Sequence, residues 1–159
     1  MVNMSVQDVR DYLSRFGVQN RIMEFEESTA TVELAARVVG VIPARIAKTL
    51  SFKTAEGAML IVAAGDAKID NRKFKDRFAM KAKMLTADEV IELIGHPVGG
   101  VCPFALKEGV PVFLDESLKR FETVFPAAGS PGSAIEFTPD ELFEVSGAAE
   151  WIDVCKLPE

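Results

Sequence analysis

Residues 46–64 read IAKTLSFKTAEGAMLIVAA, and this stretch decides the fold class. Residues 47–53 and 58–64 are two strand-like runs, and the Thr54-Ala55-Glu56-Gly57 between them is a hairpin loop. Side chains alternate across a strand, so Lys48, Leu50 and Phe52 share one face and Thr49, Ser51 and Lys53 the other. The lysine therefore lies on the apolar face, where an ammonium is costly to bury. Two readings follow from spacing alone. Lys48 is an edge residue whose stem packs while its head reaches water, or it stands at the floor of a cleft, binding an anion or acting in catalysis.

Around this hairpin the chain mixes short helices and short strands. Ser5, with Asp8 three residues on, reads as the start of a first helix. Val6, Val9, Leu13 and Phe16 form its buried stripe and Gly17 its stop. Residues 21–25 suggest a strand. A second helix starts at Thr31, turns Val32, Ala35, Ala36 and Val39 inward and ends at Gly40. Residues 70–78 predict a third helix, and residues 79–85 a strand-like or irregular segment. Thr86, with Glu89 in the capping-box position, starts a fourth helix that Gly95 stops. Residues 110–114, 122–125, 134–137 and 150–155 read as strands, and residues 115–121 as a short helix. Thr138, Pro139 and Glu141 begin a last helix that closes near Gly147. Helices and strands do not alternate strictly, and several strands are joined by short loops. The expectation is an α+β fold with a mixed, barrel-like sheet surrounded by short helices, rather than a doubly wound parallel sheet.

The chain has 159 residues, which fits a single domain over 1–159. No repeat or low-complexity tract interrupts it. The first residues lack the basic and apolar regions of a secretory signal, and no run approaches the roughly 18 apolar residues that span a bilayer. Two widely separated cysteines, Cys102 and Cys155, read as reduced thiols of a cytoplasmic protein. Net charge is −6, which argues against an extended nucleic-acid footprint. Its distribution is uneven. Residues 68–83 carry seven basic and two acidic side chains, whereas residues 84–159 carry four basic and fourteen acidic. Lys68, Arg72, Lys73 and Lys75 are thus either a solvated helix face or a small contact with the end of a nucleic acid.

Further candidates for chemistry lie in loops. Gly99-Gly100-Val101-Cys102-Pro103-Phe104 could expose consecutive N–H groups to a ligand, or be an ordinary turn after a helix. Ala128-Gly129-Ser130-Pro131-Gly132-Ser133-Ala134 lacks the spacing of a dinucleotide or Walker loop. The only histidine, His96, reads as structural, and no G-x-S-x-G elbow accompanies it. The cysteines lack C-x-x-C spacing, so no metal site is expected. Cys102 could act as a nucleophile only if its pKa were lowered.

Taken in order, Ile46-Ala47-Lys48-Thr49-Leu50, Gly65-Asp66 and the Gly99 to Phe104 segment resemble the YbaK/EbsC family. Val112-Phe113-Leu114-Asp115-Glu116-Ser117-Leu118 and Ala128-Gly129-Ser130 fit as well. That family includes the editing domain inserted in bacterial prolyl-tRNA synthetases and its free-standing relatives. The resemblance implies hydrolysis of the ester joining an amino acid to the 3′ acceptor end of tRNA, without metal or cofactor and without a membrane. It implies a synthetase as a further partner. It maps the family's key lysine to Lys48 and its G-x-x-x-P loop to Gly99 through Pro103. On this resemblance Lys48, Gly99 and Gly100 are the expected catalytic residues. Val101, Cys102, Pro103, Phe104, Gly129 and Ser130 are expected to bind substrate, and Lys68, Arg72, Lys73 and Lys75 the tRNA. The stretch from 129 to 137 departs from the family pattern, with Glu136 its only ionisable residue. The amino acid removed is therefore left open, as are a non-catalytic module binding a nucleotide or RNA end in the same cleft, and a structural partner protein.

Overall fold

The computed structural model describes residues 4–97 and 99–158. Helix α1 (Met4–Leu13) continues as a 3-10 turn over Ser14–Phe16 and stops at Gly17 in the left-handed region. Because the helix is already formed at Met4, Ser5 lies inside it and does not cap it. Val6, Val9 and Leu13 are buried as the stripe predicts, but Phe16 is exposed, since the 3-10 turn rotates it off the α-helical face. Residues 19–21 form another 3-10 turn, which shortens the expected strand to β1 (Met23–Glu24). Helix α2 (Val32–Val39) is capped by the Thr31 hydroxyl, which accepts from Leu34 N–H, and ends at Gly40.

The hairpin is present as read. Strands β2 (Ile46–Thr54) and β3 (Gly57–Ala64) pair antiparallel from Ala47↔Ala64 to Thr54↔Gly57. Both strands run one residue further into the turn than expected. β3 is buried along almost its whole length, as befits a central strand covered on both faces. Beyond it come β4 (Lys68–Ile69), α3 (Asn71–Phe78) and α4 (Ala87–Glu89), which continues as a π-helical turn over Val90–Ile94. β5 (Val112–Asp115), a 3-10 turn over Glu116–Arg120, β6 (Phe125–Pro126), β7 (Ser133–Ala134), α5 (Pro139–Ser146), β8 (Glu150–Ile152) and β9 (Cys155–Lys156) complete the order.

Five strands form one mixed, curled sheet in the order β6-β2-β3-β5-β8. Only β2–β3 is antiparallel; β2–β6, β3–β5 and β5–β8 are parallel. β1 pairs with β7 and β4 with β9 as small antiparallel ribbons. The irregular segment after α3 runs beside β2 through a single bridge, Phe52↔Met84, flanked by Lys53 N–H to Lys83 O and Leu85 N–H to Ser51 O. The strands expected over 122–125 and 134–137 shrink to two residues each, with a further bridge at Val124↔Phe137. Proline at 126 and the Gly129–Gly132 turn leave no room for longer ladders.

Aromatic rings fasten α3 to the sheet. Phe74 lies 5.1 Å from Phe52 and 4.9 Å from Phe78, and Phe78 lies 5.3 Å from Phe113 (centroid distances). Phe74 and Phe78, four residues apart, share the inner face of α3. Its other faces carry the cations.

Candidate active site

Thr49 and Ser51 lie on the face of β2 opposite Phe52, and a cavity of about 340 Å³ opens beside the first half of the strand. Ile46, Ala47, Lys48, Thr49 and Ser51 form its floor. Thr29 to Val32 and Ala35 supply one wall, and Met84, Leu85, Ala87 and Val90 the opposite one. Gly99 and Val101 close a third side, and Phe125 to Ala127 with Ser133 and Ala134 the fourth. The lining is mostly apolar apart from Lys48 and a few threonine and serine residues.

Lys48 is half-buried, and its ammonium donates to the carbonyls of Ala67 and of Gly65, the latter at 3.4 Å. Burial pulls its pKa below the usual lysine value, while Cys155, Asp66 and Glu33 oppose that pull. The acceptors are available because β3 ends in a close backbone approach. A Cβ on Gly65 would lie 2.1 Å from the Pro43 carbonyl oxygen and 2.7 Å from Val32 Cγ1. Asp66, between the two acceptors, turns instead to Arg120, whose guanidinium grips both carboxylate oxygens at 2.5 and 3.1 Å. That hydrogen-bonded pair holds the Asp66 carboxyl below the ordinary range.

Thr49 supplies a feature that motif reading passed over. Its Oγ1 is buried and has no hydrogen-bond partner among the described residues, although Thr49 lines the cavity. An unpaired buried hydroxyl costs about 1–3 kcal/mol. Two hydroxyls two residues apart on a strand beside an inward lysine were the available signal.

The glycine loop is packed flat against its neighbours. A Cβ on Gly100 would come within 2.7 Å of Ser130 N and Cα, and one on Gly99, at φ +90°, within 3.1 Å of Ala30 Cβ. Gly100 does not line the cavity, and its N–H is donated to Pro97 O at 2.9 Å. Cys102, Pro103 and Phe104 are buried behind the loop and do not line the cavity either. Burial pushes the Cys102 thiol up to about 12, so it is no thiolate nucleophile. Gly129 and Ser130 back the loop rather than face the cavity. Their turn is locked by Ser133, whose Oγ accepts from Ala128 and Ser130 N–H at 3.0 and 3.2 Å and donates to Ser130 O. Thr29 Oγ1 in turn donates to Ser133 O. Thr29 and Ser133, absent from the sequence-based set, are lining residues in this wall.

The basic segment divides in two. Lys73 bonds Asp153 and the Cys155 carbonyl, and Arg77 bonds Glu150, tying α3 to the last strands. Lys68, Arg72 and Lys75 are exposed and make no ion pair among the described residues. Asn71, Arg72, Lys75, Lys81 and Ala82 border a second concavity of about 480 Å³. The chain from Lys81 to Leu85 leads from it to the cavity wall. Among the described residues no cluster of His, Cys, Asp and Glu could hold a metal, and no helix is long and apolar enough to cross a membrane.

The curled mixed sheet has known counterparts. The aminoacyl-tRNA editing domain matches residues 26–145, and the chain belongs to that family. It is 55% identical over 154 residues to the uncharacterised protein YwhH of Bacillus subtilis (strain 168), covering 96% of this chain and 98% of that one. It is 26% identical over 124 residues to EbsC of Enterococcus faecalis (strain ATCC 700802 / V583), named as a candidate Cys-tRNA(Pro)/Cys-tRNA(Cys) deacylase, covering 77% of this chain and 76% of that one. The crystal structure of a candidate trans-editing enzyme for prolyl tRNA synthetase superposes with a TM-score of 0.87 at 30% identity, covering 98% and 99% of the two chains. Family and relatives together support a deacylase, and hence a hydrolase, role.

Proposed function

We propose that this chain works as a single, free-standing trans-editing domain in the cytoplasm. It would hydrolyse the ester of a mischarged aminoacyl-tRNA, tRNA-Pro or a related tRNA for a small amino acid. The observation that carries this reading is that Lys48, its ammonium held by two backbone carbonyls, lines one cavity together with Gly99 and Val101. The cavity is near the lower end of the range for small-molecule sites, about 300–1,000 Å³. It suits a small amino acid and its sugar.

An ammonium has three N–H donors. The Lys48 ammonium gives two of them to Gly65 O and Ala67 O, which leaves one for a phosphate or hydroxyl of the terminal adenosine. Two carbonyl acceptors favour the protonated form, so Lys48 acts as a positioning cation rather than a general base. The ester is already activated, and water suffices as the nucleophile, aligned by the substrate's own ribose hydroxyl. Negative charge on the tetrahedral intermediate would be met by N–H groups of Gly99 and Val101, since that of Gly100 is committed to Pro97. Thr49 lines the same cavity and would shape it around the substrate. Lys68, Arg72 and Lys75 would take the acceptor-stem backbone, while Lys73 orders α3 from its ion pair. A synthetase that supplies the mischarged tRNA is the fitting partner.

The test is a deacylation assay on a panel of mischarged tRNAs, with the wild type and Lys48→Ala. Turnover of at least one substrate, reduced about a hundredfold in the variant, is expected. Absence of turnover across the panel with tRNA binding retained would replace the enzyme with a module that binds RNA ends.

A further inference from the structure

The glycine loop is held from inside by one side chain that takes no part in lining the cavity. His96 is 1% exposed. Its Nε2 lies 2.7 Å from the Phe104 carbonyl oxygen and its Nδ1 2.5 Å from Ser5 Oγ. A carbonyl can only accept, so the network assigns the proton to Nε2, and Nδ1 accepts from the Ser5 hydroxyl. The first bond joins the two limbs of the loop, residue 96 to residue 104. The second fixes the loop to α1. Ser5 also meets the neighbouring turn, because its carbonyl would lie 2.6 Å from a Cβ on Gly129. Both imidazole nitrogens are thus satisfied at the junction of three segments, and Gly99 to Val101 lie between the points it clamps.

We infer that His96, held by Ser5, is a positioning residue for the deacylation proposed above: it sets the Gly99–Val101 backbone at the cavity wall through its bonds to Phe104 O and Ser5. This rests on the editing reading for its catalytic part only. A buried imidazole could be replaced by an apolar side chain if it merely filled space. A clamp with a donor on one edge and an acceptor on the other could not. Since the loop is assigned to stabilise the transition state, its loss acts on kcat more than on KM.

The experiment compares wild type, His96→Leu, His96→Gln and Ser5→Ala by amide exchange and by deacylation kinetics. The reporter is the Gly100 amide, bonded to Pro97 O, against the β3 amide of Ile61 as the measure of global opening. His96→Leu and Ser5→Ala are expected to speed Gly100 exchange about tenfold while Ile61 is unchanged. They should lower kcat by a similar factor with KM nearly constant. His96→Gln, which keeps a donor towards Phe104 O, should recover most of both. Wild-type Gly100 exchange and kcat in Ser5→Ala and His96→Leu would overturn the inference. So would a parallel acceleration at Ile61, the mark of a residue that only adds stability. If wild type deacylates nothing, the editing reading fails, and the exchange arm still decides whether His96 orders the loop.

Discussion

Lys48 on β2 gives its ammonium hydrogens to the carbonyl of Ala67, just beyond the end of β3, with Gly65 O as a second acceptor. The charge is positioned by backbone atoms rather than by a carboxylate. Asp66, the carboxylate nearest in sequence to both acceptors, is drawn off by Arg120. Asp66 therefore acts on Lys48 only through space.

The Asp66–Arg120 pair should show as pH-dependent stability. Its hydrogen bonds hold the folded Asp66 pKa below the ordinary 3.8, so its contribution is present above pH 3.8 and is lost as pH falls through the lower folded value. Asp66→Asn is expected to cost about 0.5–1 kcal/mol at pH 7, given the partial exposure of both partners. Urea unfolding at several pH values checks this: the gap between wild type and variant should close below pH 3.8.

Gly65→Ala should destabilise the fold by about 1–3 kcal/mol. The obstacle to its Cβ is the Pro43 carbonyl at 2.1 Å, a backbone atom that cannot rotate away. Because Gly65 O is an acceptor for Lys48, deacylation should fall as well. Equilibrium denaturation and single-turnover rates read the two effects separately.

Thr49→Val should separate stability from activity. It removes a buried hydroxyl that has no partner, so unfolding free energy is expected to stay level or rise by about 1 kcal/mol. The deacylation rate should drop, because Thr49 lines the cavity beside Lys48. A variant with full activity would remove Thr49 from the proposed site.

Both thiols should be inert in the native protein. Burial pushes Cys102 and Cys155 up to about 12, leaving almost no thiolate at pH 8. Thiol-reactive reagents are expected to label them only on unfolding. Cys102→Ala should keep kcat within about threefold, at a packing cost of about 1 kcal/mol.

Replacing Arg72 and Lys75 by alanine should weaken tRNA binding and flatten its dependence on salt, by about one phosphate contact per lost charge. Lys73→Ala should instead lower thermal stability, since it breaks the contact with Asp153 and the Cys155 carbonyl. Filter binding over a salt series and thermal melts distinguish the two.

Local signals made much of the fold legible. The hairpin followed from alternation and its turn, and α2, α4 and α5 from threonine caps at Thr31, Thr86 and Thr138. The short strands β6 and β7 were misjudged in length, because only the tertiary pairing of Ile46↔Phe125 and Met23↔Ala134 decides where they stop. The resemblance names Lys48, Gly99 and Val101, which line the cavity. Thr49 and Ser51 were assigned to the correct face but given no role, since the cavity over that face is built by segments remote in sequence. Cys102 to Phe104 show the converse. A motif marks a loop, but not which of its residues point outward.

The parallel pairing of β2 with β6 also has a kinetic side. The hairpin is complete once residue 64 has been synthesised, but the cavity wall formed by Phe125 to Ala134 joins it some seventy residues later in the chain. At about 5–20 residues per second on the ribosome, the nascent domain spends several seconds with Ile46 and Ala47 uncovered on that edge. Such non-local closure is slow, so the cavity is complete only with the last third of the chain.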